Sequence, residues 1–521
     1  MEKITSKKVC LIILDGWGFS LNRAGNAIFL AGPRNFDNLW QSYGHAVLST
    51  HSNLQKNNDD SINSQICYTQ ISAGRFVKSE SQIIADEFTS GNFLENEVLN
   101  NTFLNAISHD SNVHFVCPID ESEYSLEYIY GLLKMASSYQ EVSVYIHLVI
   151  SKDNSYQELY QVLDKIKDST SKTSNCIIAS IFGSDYSAYD ITEYSKILSA
   201  YNAIIWGEGK QYFEISQVLK SNEEKNVRPH QIEPSIIVND GKAVGISSDF
   251  DNFIFSSVTG EPVKMLFISL ANGIKSVKSR RKFNLKLIPF ADYLHTKSVS
   301  CDHVFKSVAI SPNLSEIISK SGIGQFHVGE SINEDEVSFY FNGRISNNFP
   351  EEKIMIVTSS ENSAKNHGLS SSYIAKVTID QMMKNKECFI VAGFANVDYF
   401  AHTKDVRSTA LAVAALDDCL KLIYDASIRT NTTLVITGSH GNAENMARSA
   451  NLDTFSKSPV PFIVVSPETR KNTTSQFRQV NFSSMISLKH SICDIAPTIL
   501  NIMDIKIPSE FSGRSLINYL E

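Results

Sequence analysis

Six consecutive apolar residues, Val9 to Leu14, stop abruptly at Asp15 and Gly16. A run that never alternates with polar residues predicts a strand buried on both faces, as in a parallel sheet covered by helices, rather than a hairpin with one wet side. The residue that ends the run is an acid, and a buried acid needs a hydrogen-bond partner or a cation. Asp15 is therefore read either as a metal ligand or as a helix cap.

Similar runs recur along the chain. HFVCPI (114–119), VSVYIHLVI (142–150) and CIIASIF (176–182) alternate with helical stretches near 125–138, 155–168 and 190–205. IMIV (354–357), CFIVAGFAN (388–396), TLVIT (433–437) and PFIVV (461–465) follow later, and VCLIILDGWG (9–18) reads as the first strand. This alternation predicts an α/β protein built from βαβ units on parallel sheets. Ala410, Val413, Ala414, Leu416, Leu420 and Ile423 fall at helical spacing and read as core. A helix is expected from Pro33 to Ser42, whereas HSNLQKNNDDSINSQ (51–65) has no pattern and makes Ser64 look like loop.

At 521 residues the chain exceeds what one core usually fills, so two domains are expected. The texture changes near 78 and 308, which predicts a discontinuous domain (1–77 and 309–521) and a second one (78–308). No apolar run approaches the ~18 residues that span a bilayer. The first apolar run is too short for a signal-peptide core, so a cytoplasmic protein is expected. Eight cysteines without a CxxC pair argue against a disulfide framework or a cysteine zinc site. The net charge of −9, with no long basic tract, gives no support for nucleic-acid binding. The short cluster Lys278, Arg280, Arg281 and Lys282 reads as a solvated turn.

Chemistry-bearing residues gather at strand ends. TLVITGSHGNAENM (433–446) breaks from a strand into a loop carrying His440, Asn442 and Glu444, and loops at the carboxyl ends of parallel strands converge on one crevice. Alone, His440 could equally be a turn imidazole facing solvent. Asp398 and His402 lie four apart after CFIVAGFAN. With Asp15 and His440 they have the composition of a divalent-metal site for phosphoryl transfer.

The motifs LIILDGWG, NAIFLAGPRNFDNLW, NSQICYTQISAGR, FANVDYFAHT, TGSHGNAENM, PVPFIVVS and SICDIAPTILNIMDIKIPSEFSGRSLI resemble, in order, those of cofactor-independent phosphoglycerate mutases. The resemblance covers essentially the whole chain. It implies the alkaline-phosphatase superfamily, with an alkaline-phosphatase-like three-layer domain into which a second α/β domain, the phosphotransferase domain, is inserted. It also implies a monomer and a reaction that moves the phosphoryl group of 3-phosphoglycerate through a serine, with two manganese ions. The family's nucleophile falls on Ser64. Asp15, Ser64 and His440 fall on ligands of one metal, and Asp398 and His402 on ligands of the other.

The departures from that pattern fall on catalytic side chains. The family's Asp in TADHGNAE is Ser439, and the histidine before PVP is Phe455, with Asp453 as a nearby acid. Around Ser64 the family's Gly, Glu, Gly and His become Ile62, Gln65, Cys67 and Tyr68. VHSH becomes EYSL (123–126), placing Tyr124 on a histidine; DGRD becomes ISKD (150–153), leaving Lys152 and Asp153 as weak candidates for substrate binding; and the lysine of ETEKY becomes Asn333. The arginine-rich substrate stretch aligns with GSDYSAYDITEY (183–194), which has none. Arginine forks grip phosphate and carboxylate bidentately, so their loss should abolish recognition of a small trianion. The expectation is a mutase-like protein without turnover, binding at most one manganese ion and acting through a protein partner. The alternatives are an active mutase on a small phosphorylated substrate and a phosphomonoesterase using Ser64.

Overall fold

The computed structural model describes all residues except 1–5, 52–62, 120–122, 152–154, 172, 188–193, 259–261, 273–282, 292–300, 359–367, 385–387, 448–455, 472–489 and 521. Lys152, Asp153, Asp453, Phe455, Ile62 and the basic cluster at 278–282 thus lie outside the described residues. The chain divides into two compact units, 1–78 with 308–521, and 79–307. Among the described residues no helix is long and apolar enough to cross a membrane, and the eight cysteines are free thiols.

The strands in chain order are β1 (Lys8–Leu14), β2 (Gly44–Leu48), β3 (Val113–Ile119), β4 (Val144–Ile150), β5 (Cys176–Gly183), β6 (Lys210–Tyr212), β7 (Ser235–Asn239) and β8 (Lys242–Ala243). They continue with β9 (Asn252–Phe255), β10 (Lys286–Pro289), β11 (Gly324–Glu330), β12 (Glu352–Val357), β13 (Cys388–Phe394), β14 (Thr433–Gly438) and β15 (Val460–Val465). The sheet of the first unit has the order β12-β11-β13-β1-β14-β15-β2. β1 is central and parallel to both neighbours, with Leu14 level with Phe394 on one side and Gly438 on the other.

The unbroken apolar run of β1 has a direct structural cause. Val9, Leu11 and Ile13 point into one core cluster, which includes Ile66, Tyr68 and Ile71 of the helix Ser64–Ala73 and Ile495 and Ile499 of the helix Ile495–Ile502. Cys10, Ile12 and Leu14 point into the opposite cluster, with Ile374 of the helix Leu369–Met383 and Val413 and Leu416 of the helix Val406–Thr430. Helices therefore cover both faces, giving three layers. The apolar stripe of the helix Val406–Thr430 is core except at Ala414, which is exposed.

Several local expectations change. The first strand ends at Leu14 instead of Gly18, because Gly16 takes a left-handed φ of +73°. A Cβ at Gly16 would also lie 2.8 Å from the Asp398 Cα. Ser64 is not loop: it opens a ten-residue helix capped by Asn63, whose side chain accepts from the Ile66 amide, and closed by Gly74. β15 runs antiparallel to β14 and β2, since no described helix between β14 and β15 supplies the crossover that a parallel return needs.

The second unit carries the order β10-β9-β3-β4-β5-β7-β6, with β8 beside β7. Here β7 is antiparallel to β5, whereas the strands from β10 to β5 are parallel. A line of buried polar side chains crosses its centre. His114 Nε2 lies 3.1 Å from Asp251 Oδ2, His114 Nδ1 lies 2.9 Å from His147 Nε2, and His147 Nδ1 lies 2.8 Å from Ser180 Oγ. Burial, and then the neighbouring His114, push His147 well below the usual imidazole range. A neutral His147 donates at one nitrogen and accepts at the other, so both of its neighbours in the line, His114 and Ser180, find a partner. Burial alone would raise Asp251, but the hydrogen bond and charge of His114, with the amides of Ser248 and Asn112, hold it below the usual carboxylate range. Removing one member of a buried pair leaves the other uncompensated. Asp251→Ala should therefore cost about 3–5 kcal/mol, read as a lower urea midpoint. A loss below about 1 kcal/mol would show that the line adds little.

Candidate functional site

Strand register assembles the site. Because Leu14, Phe394 and Gly438 are level, the residues that follow them leave the sheet side by side. Asp15 continues the alternation of Val9, Leu11 and Ile13 and so turns toward the face where Tyr68 packs. Its amide still bonds the Phe394 carbonyl at 3.0 Å.

Asp15 is 2 % exposed. Three neutral donors serve it: Ser439 Oγ donates to Oδ1 at 2.5 Å, Tyr68 OH to Oδ2 at 3.1 Å, and Asn333 Nδ2 to Oδ2 at 3.2 Å. The Asn333 amide is oriented by its own Oδ1, which accepts from the Glu330 amide at 2.8 Å. Gly393 on β13 leaves the space: a Cβ there would sit 2.8 Å from Tyr68 OH and 3.0 Å from Asn333 Nδ2. Burial lifts the Asp15 carboxyl to about 6, partly opposed by His440 and the Ser439 hydrogen bond. Burial, with the charges of Asp15 and Glu336, pushes the Tyr68 phenol well above its usual range, so it remains a donor.

The second carboxylate is Asp398, on the helix Asn396–His402, where i,i+4 spacing sets it beside His402. Its Oδ2 lies 3.2 Å from His402 Nε2. Its Oδ1 lies 3.1 Å from His440 Nε2 and accepts from Asn442 Nδ2 at 2.8 Å. Burial would raise this carboxyl, but the imidazoles of His402 and His440 outweigh it and hold Asp398 well below the usual range. Ser439 Oγ is also 2.9 Å from His440 Nδ1. An unbroken hydrogen-bonded line therefore runs Asp15, Ser439, His440, Asp398, His402.

Ser64 stands apart from that line. Its hydroxyl donates to Glu336 Oε1 at 2.8 Å. Glu336 lies in one wide helical turn, Glu336–Tyr340, of the kind often found at functional sites. Burial, reinforced by Asp335 and opposed by the Ser64 hydrogen bond, lifts its carboxyl to about 8. Tyr124, on the helix Glu123–Ser137, packs against the core of the second unit.

The structure thus brings together Asp15, Asp398, His402 and His440 with three of the departed positions, Tyr68, Asn333 and Ser439. Sequence reasoning missed Glu336, which sits in the acidic run Glu334–Glu336 and resembles a solvated face. It named Asn442 only as a loop residue, and the asparagine's neutral amide gave no sign of its partner. Among the described residues the donor set does not fit a two-cation centre. Asp15 already accepts three hydrogen bonds from neutral groups, Ser439 supplies a hydroxyl where the family pattern has a carboxylate, and the Nε2 atoms of His402 and His440 both face Asp398. Among the described residues no group of three His, Cys, Asp or Glu side chains converges to hold a metal ion.

The pattern of the Metalloenzyme superfamily matches residues 7–507. The chain is 28 % identical over 530 residues to a 2,3-bisphosphoglycerate-independent phosphoglycerate mutase of Antithamnion sp., covering 99 % of this chain and all of that one. It is 25 % identical over 528 residues to the enzyme of the same name from Clostridium perfringens, again over 99 % of this chain and all of the relative. The fold matches the crystal structure of Leishmania mexicana phosphoglycerate mutase with a TM-score of 0.81 and 18 % identity, over 100 % of this chain and 99 % of that one.

The sign of the pH dependence follows from Glu336. A carboxyl lifted from 4.5 to about 8 is bound to its proton more tightly in the folded state, so stability falls as pH rises from the unfolded value through the folded one. Glu336→Gln, which keeps an acceptor for Ser64, should lose less stability than the parent between pH 5 and 8 in urea unfolding. Equal losses would show that Glu336 does not set the slope.

Proposed function

The chain belongs to the Metalloenzyme superfamily and is phosphoglycerate-mutase-like, and from that premise we propose that it has given up mutase turnover and acts as a binding or regulatory protein. The observation that carries this reading is Ser439 on Asp15: a hydroxyl donates where the family pattern has a metal-binding carboxylate. A hydroxyl brings no negative charge, and metal affinity in such sites depends on deprotonated, charged ligands. The substrate side points the same way, because GSDYSAYDITEY (183–194) contains no arginine to fork a phosphate.

On this reading the protein works in the cytoplasm as a monomer and contributes no step to glycolysis, and its ligand is a partner protein. Manganese is not part of its resting state. A second reading, phosphomonoesterase activity, is favoured by the Ser64–Glu336 pair, since a serine at a helix start with a carboxyl acceptor at 2.8 Å has the parts of a nucleophile and its base.

The test uses the purified full chain with manganese. With 3-phosphoglycerate in an enolase-coupled assay, no turnover above background is expected, and Ser64→Ala should behave like the parent. Turnover that vanishes in Ser64→Ala would overturn the proposal in favour of an active mutase. Hydrolysis of a generic phosphoester such as p-nitrophenyl phosphate, lost in the same variant, would favour the phosphatase.

A further inference from the structure

A carboxylate buried at the end of a central strand still needs donors once no cation lies against it. Tyr68, Asn333 and Ser439 supply three, from a helix, a short turn and a strand end that are far apart in sequence. All three are positions where this chain departs from the mutase pattern, and each now carries a neutral group with a proton to give. Independent drift at three catalytic positions would leave no reason for all three side chains to aim at the same two oxygens. The geometry also fixes their roles. The Asn333 carbonyl oxygen is taken by the Glu330 amide, which leaves its Nδ2 for Asp15. Gly393 keeps Tyr68 OH and Asn333 Nδ2 uncrowded. Ser439 then couples Asp15 to His440, and His440 to Asp398.

We propose that Tyr68, Asn333 and Ser439 form a linked hydrogen-bond cage that takes the place of a cation against Asp15, so that the protein reaches and holds its fold without a divalent ion. This rests on the reading of the chain as a mutase without turnover, and it adds what replaced the metal. The cage is a device of the whole set: a single donor cannot satisfy both oxygens, and losing one leaves a buried acceptor short.

Two measurements on the full chain test it. The first is thermal unfolding and metal content after dialysis against EDTA, with and without millimolar manganese. A ligand that binds only the folded state raises its melting temperature by mass action. The expected result is a metal-free protein whose melting temperature moves by less than about 1 °C. A manganese-dependent rise of more than about 3 °C with stoichiometric binding would overturn the cage.

The second is a set of double-mutant cycles. Tyr68→Phe and Ser439→Ala should each lower the melting temperature, and the losses should largely disappear in an Asp15→Ala background, where the donors have nothing to serve. Losses that simply add to that of Asp15→Ala would also overturn it. Should Asp15→Ala fail to fold, the manganese titration of the parent still decides. The outcomes separate from those of the functional reading. Turnover by dialysed protein whose melting is indifferent to manganese supports the cage and overturns the absence of activity. Manganese-dependent stabilisation without turnover overturns the cage and leaves the absence of activity standing.

Discussion

A negative charge with almost no access to water stands at the end of the central strand, and the first unit is arranged around its needs. Asp15 cannot be hydrated, so its stability depends on donors delivered by the fold. The delivery is a matter of register: three parallel strands that end level release Asp15, the approach to Asp398, and Ser439 with His440 into one layer. Gly16 and Gly393 then permit the close approaches that larger residues would block. Tyr68 reaches the carboxylate because the helix that opens at Ser64 packs on the same face of the sheet as the odd-numbered residues of the first strand.

The first unit keeps a phosphoglycerate-mutase-like fold around the carboxylates of Asp15 and Asp398. Asp398 retains two imidazoles, and their positive character holds its carboxyl well below the ordinary range in spite of burial. Asp15 goes the other way, lifted to about 6, because burial exceeds what His440 and neutral donors return. The difference between the two carboxyls is the difference between partners that can carry charge and partners that cannot. Glu336 adds a third acid, lifted to about 8 by burial, and occupies the hydroxyl of Ser64. The second unit has its own buried polar line from Asp251 to Ser180, resolved by the same preference of buried polar atoms for a partner.

Much of the fold was legible in the chain because unbroken apolar runs are the direct imprint of burial on both faces. Val9 to Leu14, Leu434 to Thr437, and the stripe through Val413, Leu416, Leu420 and Ile423 all read correctly for that reason. The helix at Ser64 did not, since its polar approach hid a cap at Asn63 and a glycine stop at Gly74. The antiparallel course of the last core strand was also hidden, because apolar content says nothing about direction. At the site, Asp15, Asp398, His402 and His440 were visible as acids and imidazoles at strand ends. Glu336 was not, because an acid in an acidic run looks solvated until the fold buries it.

The sequence by itself determined the α/β class, because unbroken apolar runs and their alternation with helical stretches are local properties of residue type and order, and its resemblance to the mutases implied the three-layer first unit and the positions at which the chain departs from their pattern. What those departures do was decided by the tertiary structure alone. Tyr68, Asn333 and Ser439 look like three separate losses in the chain. They become one arrangement only when distant segments place three donors within 3.2 Å of a single buried carboxylate, because hydrogen bonding depends on distance and direction in space and is blind to separation along the chain.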